Sequence, residues 1–275
     1  MKNMLLIITA LSVLSCGQGV QSGEQKEENE IQVVVESQRE NPKKKNDLQS
    51  EGFKGKVKSV RTIKYNATEK FGEIQTKNVN WKGGQKIVYN QQGNEIEMYL
   101  YDFEGNMSRK YDYEYDDTGN KTAKFEYSSD EQLLNKRTYK YDDRGNQIEE
   151  SWSDSSGNLV GKYTYKYDDK GNKIEECSYE SDGSLMEKTI HKYDDRDNVT
   201  KISVYDSYGD LDETITIEYN DQGYFTEVIV YDSDRDFQKK TFRYEYDTYR
   251  NWTKRVEYSD GKADSIIERE IVYYD

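Results

Sequence analysis

Tyrosine recurs at a fixed interval of 26 residues through the middle of this chain. Most of these tyrosines open a short turn that contains Gly and Asn, as in YDDRGN and YDDKGN. A second turn follows each of them about 12 residues later. A period of about 20 to 50 residues indicates an array of similar structural units. The six positions are Tyr89, Tyr115, Tyr141, Tyr167, Tyr193 and Tyr219.

The runs between the turns have the composition of β-strands, since Thr, Tyr, Ile and Val are frequent and Pro is absent from them. In the turn after Tyr115, Asp116 can accept a hydrogen bond from backbone two residues on, and Gly119 can adopt the left-handed conformation. Loops this short force neighbouring strands to run antiparallel. The sequence therefore predicts an all-β fold, an antiparallel meander of about 17 strands built from 26-residue two-hairpin repeats.

Side-chain alternation through these hairpins predicts a face rich in tyrosine. If the loop is symmetric, Tyr113 lies opposite Ala123 and Tyr111 lies opposite Phe125. The other face then receives alternating Lys and Glu, interrupted by a few apolar residues such as Trp152. The prediction is one aromatic face and one charged face.

The chain has 26 tyrosines, whereas Leu, Ile, Val and Phe are sparse for a protein of 275 residues. Tyrosine rings can bury a large area while their hydroxyls remain hydrated. Stacked rings would then replace a thick aliphatic core, with each unit stabilised by its neighbours. Because wide flat sheets are unfavourable, we expect an elongated open sheet that is twisted or superhelical.

The N-terminus resembles a bacterial lipoprotein signal, with an apolar run that ends in Val-Leu-Ser-Cys. This predicts a signal peptide at 1–15, lipidation of Cys16, a flexible tether over 16–50 and a repeat domain over 51–275. An uncleaved anchor, or an ordinary secretory signal with an unrelated cysteine, is the alternative. Lys26-Glu27-Glu28 resembles an export tag of surface lipoproteins of Bacteroidetes-type bacteria, or is an ordinary charge cluster of the tether.

The repeat resembles the Rhs/YD-repeat family, whose signature is approximately Tyr-Asp-x-x-Gly-Arg-Leu followed by a second Gly turn. The resemblance covers residues 85–260 well and 52–84 loosely. It implies an extracellular β-rich protein, and the segment from Gly52 to Gln75 is similar to small Bacteroidetes lipoproteins. Asn stands here where the family has Arg, and the chain is too short to enclose a toxin cargo.

The sequence predicts neither catalysis nor a cofactor. His191 is the only histidine and occupies a position held by tyrosine in other repeats, so we interpret it as structural. Cys177 is interpreted as a small apolar strand residue. Asp232, Asp234 and Asp236 form a weak calcium candidate, although Phe237 stands where a calcium loop needs Gly.

The function predicted is that of a binding or structural scaffold, anchored by lipid in the bacterial cell envelope at the outer membrane, where it faces either the periplasm or the cell surface. Its ligand would be a glycan or an envelope protein, and the acidic net charge of −14 argues against nucleic acid. We expect a monomer. The alternatives are an immunity-type partner of a toxin or effector, and a glycan-acting enzyme. Aromatic rings stack on sugars, and the stacking candidates are Trp152, Tyr163, Tyr165 and Tyr167.

Overall fold

The structure is a computed structural model that describes residues 46–70, 73–77, 84–102, 104–233 and 236–275. They form one short helix and 17 strands in a single antiparallel sheet. The elements are α1 (Asp47–Ser50), β1 (Val57–Lys70), β2 (Glu73–Lys77), β3 (Gly84–Tyr89), β4 (Glu95–Tyr101), β5 (Met107–Tyr115), β6 (Lys121–Ser128), β7 (Leu133–Tyr141), β8 (Gln147–Asp154), β9 (Leu159–Tyr167), β10 (Lys173–Glu180), β11 (Leu185–Tyr193), β12 (Val199–Asp206), β13 (Leu211–Tyr219), β14 (Phe225–Asp232), β15 (Phe237–Tyr246), β16 (Trp252–Ser259) and β17 (Lys262–Tyr273).

The sheet closes into a β-barrel, so the predicted open, elongated sheet is wrong. From β3 to β17 every strand pairs with the next, and β1 then pairs with both β17 and β3. Val60 lies opposite Ile271 on one side and opposite Ile87 on the other. Sixteen of the described strands therefore form the wall, while β2 pairs only with the far end of β1. Closure is the favourable alternative to an open sheet of this width, because it pairs both edge strands.

The segment before β1 docks on the end of the barrel where the YDxxGN-type turns lie. Asn46 caps α1 by accepting a hydrogen bond from the backbone N–H of Gln49. Leu48 is buried, and Asp47 accepts hydrogen bonds from the Tyr115 hydroxyl at 2.6 Å and from the Glu95 backbone N–H at 2.8 Å. Residues that the sequence analysis placed at the end of the tether thus pack on the barrel. Among the described residues, no helix is long and apolar enough to cross a membrane.

The turns have the predicted chemistry but shift the strand register. The Asp116 carboxylate accepts a hydrogen bond from the Thr118 backbone N–H at 2.9 Å, and Gly119 has a φ of +83°. After Glu114 pairs with Ala123, the register slips by one residue next to the turn, which is a β-bulge. Tyr113 therefore lies opposite Lys124 and not opposite Ala123.

This shift makes the predicted division into an aromatic face and a charged face wrong. Residues directly opposite each other point to the same side of the sheet. Val60 is buried and lies opposite Ile87; Ile87 lies opposite Met98, and Met98 lies opposite Tyr111. All four side chains therefore point into the barrel interior. Phe125, expected on the tyrosine face, points outward. Rings therefore occupy both sides of the wall.

The barrel interior has two chemically different parts. Strands β11 to β15 contribute a buried aliphatic and aromatic cluster, in which Ile202 lies opposite Ile215. Strands β5 to β10 contribute tyrosines interspersed with charged residues. The buried members of the first part are Val199, Ile202, Ile217, Val228, Val230 and Phe242.

The outer wall carries ion pairs. Lys140 contacts Glu149 at 2.6 Å, and Glu175 lies between Lys166 at 2.6 Å and Lys188 at 2.9 Å. The Lys140 and Lys166 side chains are 70% and 71% exposed. A lysine at the centre of a bilayer, on the lipid face of a barrel, costs about 2–4 kcal/mol. These positions of the outer wall therefore favour contact with water over contact with lipid.

Candidate functional site

A cluster of aromatic rings lines the interior on β8 and β9. The rings of Trp152 and Tyr163 are 5.1 Å apart between centroids, and those of Tyr163 and Tyr165 are 6.4 Å apart and stacked. All three side chains are half-buried, so part of each ring contacts solvent. A barrel of sixteen strands is too wide for side chains to fill. The part of these side chains that is not buried therefore faces the interior of the barrel.

Gly161 makes room for this cluster. It lies directly opposite Trp152 on the neighbouring strand. A Cβ atom at position 161 would come within 2.7 Å of Cζ2 of Trp152 and within 2.6 Å of the carbonyl oxygen of Tyr179. The indole of Trp152 thus lies over the bare backbone of Gly161, which lets the ring lie flat against the wall.

An arginine–glutamate pair borders the rings. Nη1 of Arg137 contacts Oε1 of Glu150 at 2.5 Å, and the Tyr165 hydroxyl donates to Oε2 of Glu150 at 3.3 Å. The Arg137 guanidinium is 5.9 Å from the centre of the Trp152 ring. Arg137 is 43% exposed whereas Glu150 is 13% exposed. The guanidinium is therefore free to form further hydrogen bonds with a molecule in the interior.

Lys124 is the direct cross-strand neighbour of Arg137. Its ammonium group is 4.4 Å from the centre of the Tyr111 ring and 5.5 Å from that of Tyr113. Within the described residues it forms no ion pair. Burial lowers the pKa of Lys124 to about 8, and the charges of Arg137 and Lys121 act in the same direction. Lys124 is thus a cation whose charge is not matched by a carboxylate in contact.

Further along the same wall, Lys173 contacts Glu176 at 2.6 Å and lies 5.0 Å from the centre of the Tyr165 ring. His191 is on the inner face, where the spacing predicts it. Burial lowers the pKa of His191 to about 4, with the charge of Lys173 contributing, so the imidazole is neutral at pH 7. Its buried Nε2 atom has no hydrogen-bond partner within the described part of the chain.

The structure brings together three of the four predicted stacking residues. Trp152, Tyr163 and Tyr165 share the inner face, although Trp152 was expected on the opposite one. Tyr167 lies at the end of β9, and its hydroxyl donates to the backbone carbonyl of Gln147 at 2.7 Å. It is held by the wall itself and stands apart from the cluster.

The charged residues of the site were not predicted to lie beside the rings. The alternating Lys and Glu residues were placed on the face opposite the tyrosines, and Glu150, Lys124 and Arg137 were not singled out. The left-handed glycine in most of the turns is the available signal, because such a glycine commonly accompanies a bulge that shifts the alternation.

The remaining predicted sites have different outcomes. Cys16 and Asp234 lie outside the described residues. The Asp232 carboxylate accepts a hydrogen bond from the Asp236 backbone N–H at 2.9 Å, which is a turn contact. The part of the chain that the structure describes contains no group of three His, Cys, Asp or Glu residues able to hold a metal ion. Cys177 is buried and unpaired with any described cysteine.

No protein-family model matches the chain, and no curated protein matches it. Among solved structures, a porin-like protein from Bacteroides uniformis is similar, with 11% identity and a TM-score of 0.53 over 78% of this chain and 98% of that protein. A porin-like protein from Bacteroides vulgatus has 11% identity and a TM-score of 0.39, over 79% and 98% of the two chains. A TcdB2-TccC3-TEV structure has 10% identity and a TM-score of 0.21, over 66% of this chain and 12% of that one.

The first of these likenesses supports a common barrel fold, since almost the whole Bacteroides uniformis protein is covered. An identity of 11% carries no information about shared chemistry. The other two superpose too poorly to support a conclusion. The Rhs/YD-repeat identification therefore remains a resemblance of the turn motifs.

Proposed function

We propose that this protein is a lipid-anchored component of the bacterial cell envelope that binds a glycan inside its barrel and performs no catalysis on it. The barrel is the scaffold, and the interior face of β7, β8 and β9 is the binding surface. The observation that carries the proposal is the solvent-accessible group formed by Trp152, Tyr163 and Tyr165 beside the Arg137–Glu150 pair.

Sugar recognition requires flat apolar surfaces and planar polar groups close together. The apolar face of a pyranose ring can stack on the Trp152 and Tyr163 rings, as aromatic side chains provide area and geometry in one group. Its hydroxyls can donate to the Glu150 carboxylate and accept from the Arg137 guanidinium. The rings are pre-positioned by the wall, which reduces the ordering cost of binding.

The envelope location is supported by the lipoprotein-like sequence that ends at Cys16 and by the fold likeness to a porin-like protein. The ion pairs of the outer wall favour a barrel that stands in water. We therefore propose that the N-terminal lipid, and not the barrel, holds the protein at the membrane.

Glycan binding is tested by calorimetric titration of the detergent-solubilised full chain with a panel of oligosaccharides. Trp152→Ala and Tyr163→Ala should each weaken binding about fivefold or more, because each removes a stacking surface worth about 1 kcal/mol or more. Tyr208→Ala is the matched control, since that ring is 91% exposed. Absence of binding to the whole panel, or equal loss with the control, would contradict the proposal.

The anchor is tested independently with Cys16→Ser expressed in a bacterial host that processes lipoproteins. The expected result is that the signal peptide is not cleaved and residue 16 is not acylated, both measured by mass spectrometry. A second Cys16→Ser protein, in which an ordinary cleavable secretory signal replaces the native one, should no longer be retained at the membrane. A Cys16→Ser protein that is cleaved and retained like the wild type would show that the lipid assignment is wrong.

A further inference from the structure

We infer that the binding surface inside the barrel selects acidic sugars, whose carboxylate contacts Lys124 and Arg137 while the sugar ring stacks on Trp152. This inference rests on the proposed glycan-binding function and names the class of glycan. It is carried by the charge arrangement on the inner face of β6 and β7.

The cations of this surface are not equally matched by carboxylates. Lys121 contacts Glu95 at 3.1 Å and Asp47 at 3.8 Å. Arg137 contacts Glu150. Within the described part of the chain Lys124 forms no ion pair: its ammonium group lies over the Tyr111 and Tyr113 rings, and the Glu95 and Glu150 carboxylates act on it only from beyond contact distance.

An unmatched ammonium group inside the barrel is unfavourable by itself. Lys124 and Arg137 are direct cross-strand neighbours, and like charges in that position repel. The Tyr111 and Tyr113 rings offset part of this cost through cation–π contacts. An incoming carboxylate would relieve the repulsion and form charge-assisted hydrogen bonds with both cations.

The position of the two cations relative to the rings determines the kind of anion. The Arg137 guanidinium lies 5.9 Å from the centre of the Trp152 ring, so a group bound by Arg137 is about one sugar width from the stacking surface. A uronic acid carries its carboxylate on the sugar ring itself and meets both requirements. Inorganic anions can contact the two cations but cannot stack on Trp152, because they present no apolar face to the ring.

The test compares trigalacturonic acid with its methyl ester, which has the same rings and no negative charge. Calorimetric titrations at pH 7 use the full chain, Lys124→Gln and Lys136→Gln. Lys136 is the matched control because it lies on the outer face, is exposed, and also sits over a ring, 5.2 Å from the centre of Phe125. Inorganic phosphate is titrated as a probe for simple anion binding.

The wild type should bind the free acid about tenfold or more tightly than the ester, as charge-assisted hydrogen bonds strengthen binding by that order. Lys124→Gln should lose this preference while its affinity for the ester stays within about twofold, and Lys136→Gln should retain the preference. If acid and ester bind equally, the acidic-sugar inference is overturned and the glycan proposal stands. If the wild type binds neither, the acidic-sugar inference is overturned, and the oligosaccharide panel decides the glycan proposal separately.

A spectroscopic readout separates direct contact from a structural effect of the substitution. Reductively methylated lysines are followed by NMR during titration of pH. The pKa of Lys124, about 8 in the unliganded protein, should rise when trigalacturonic acid is added and stay unchanged with the ester. A pKa that does not move with the free acid, or tighter binding of phosphate than of the free acid, would overturn the inference.

Discussion

The Tyr167 hydroxyl donates a hydrogen bond of 2.7 Å to the backbone carbonyl oxygen of Gln147, twenty residues earlier in the chain. Tyr167 ends one strand, and Gln147 begins the strand beside it. The same bond joins Tyr141 to Lys121, Tyr193 to Lys173 and Tyr219 to Val199, at 2.8, 2.7 and 2.9 Å. This relationship gives a physical reason for the 26-residue tyrosine period, because phenylalanine could fill the space but could not donate.

We predict that Tyr167→Phe lowers the free energy of unfolding by about 1 kcal/mol, since a single neutral hydrogen bond is lost and one carbonyl becomes unsatisfied. Denaturant unfolding followed by circular dichroism measures the change. Tyr208→Phe makes the same chemical change at a ring that is 91% exposed and should have no measurable effect. Equal stability of Tyr167→Phe and wild type would show that the hydroxyl has only a space-filling role.

Asn251 holds the N-terminal segment to the barrel. Its side-chain amide donates to the Lys54 carbonyl at 2.8 Å and accepts from the Lys54 backbone N–H at 2.8 Å. The residue is 1% exposed. We predict that Asn251→Ala destabilises the protein by about 2 kcal/mol, because two backbone groups of Lys54 lose their partner in part-buried hydrogen bonds.

The matched control for this change is Asn158→Ala, at the same position of another turn. Asn158 is exposed, and its side-chain amide donates to the Asp154 carboxylate of its own turn. Its loss should cost less than about 1 kcal/mol. Hydrogen exchange adds a second measurement: in Asn251→Ala the amides of residues 47–57 should exchange faster, while those of β8 should not.

The elements that sequence could predict are those that depend on neighbours in the chain. Hairpins, antiparallel pairing and the Asp116 turn follow from local composition, and the structure confirms them. The prediction of which residue lies opposite Tyr113 was wrong, because one bulge beside a turn moves every later residue of the partner strand to the other side of the sheet. Glu150 was missed for the same reason, since it changed sides together with Trp152 on β8, whereas Arg137 stayed on the face of Tyr139.

Closure of the barrel depends on contacts that a repeat cannot reveal. Every repeat has nearly the same sequence, so the periodicity predicts pairing between neighbours but contains no information on the total curvature. The closing strand β1 lies outside the clear repeats, and Val60 pairs with Ile271 more than 200 residues away. Such long-range pairing is decided by the two edge strands, which are more favourable paired than exposed.

Gly161→Ala should disturb the aromatic cluster. A Cβ atom there would lie 2.7 Å from Cζ2 of Trp152 and 2.6 Å from the Tyr179 carbonyl oxygen, so ring and backbone both have to move. We expect a loss of about 1–3 kcal/mol in the free energy of unfolding. The near-ultraviolet circular dichroism of the tryptophan should also change. Trp152→Ala combined with Gly161→Ala should cost less than the sum of the single changes, because one of the two clashes is then absent.

The last prediction concerns pH and the segment that docks on the barrel end. Burial, together with the carboxylates of Glu95 and Asp47, raises the pKa of Glu51 to about 7 against the opposing charges of Arg269 and Lys121. The folded protein therefore binds a proton at Glu51 between about pH 4.5 and pH 7 that the unfolded chain has released. The contribution of Glu51 to the free energy of unfolding is therefore full below about pH 4.5, and it decreases as the pH rises through about 7.

Glu51→Gln removes this dependence, because the amide resembles the protonated acid and does not titrate. We predict similar stability of variant and wild type at pH 4, and a variant more stable by about 2 kcal/mol at pH 8. Denaturant unfolding at several pH values measures the difference, with Glu218→Gln, an exposed carboxylate on β13, as the control. If Glu51→Gln is instead less stable than wild type at pH 8, then Glu51 is ionised in the folded state and pairs with Arg269. The segment would in that case be held by charge and should loosen on acidification.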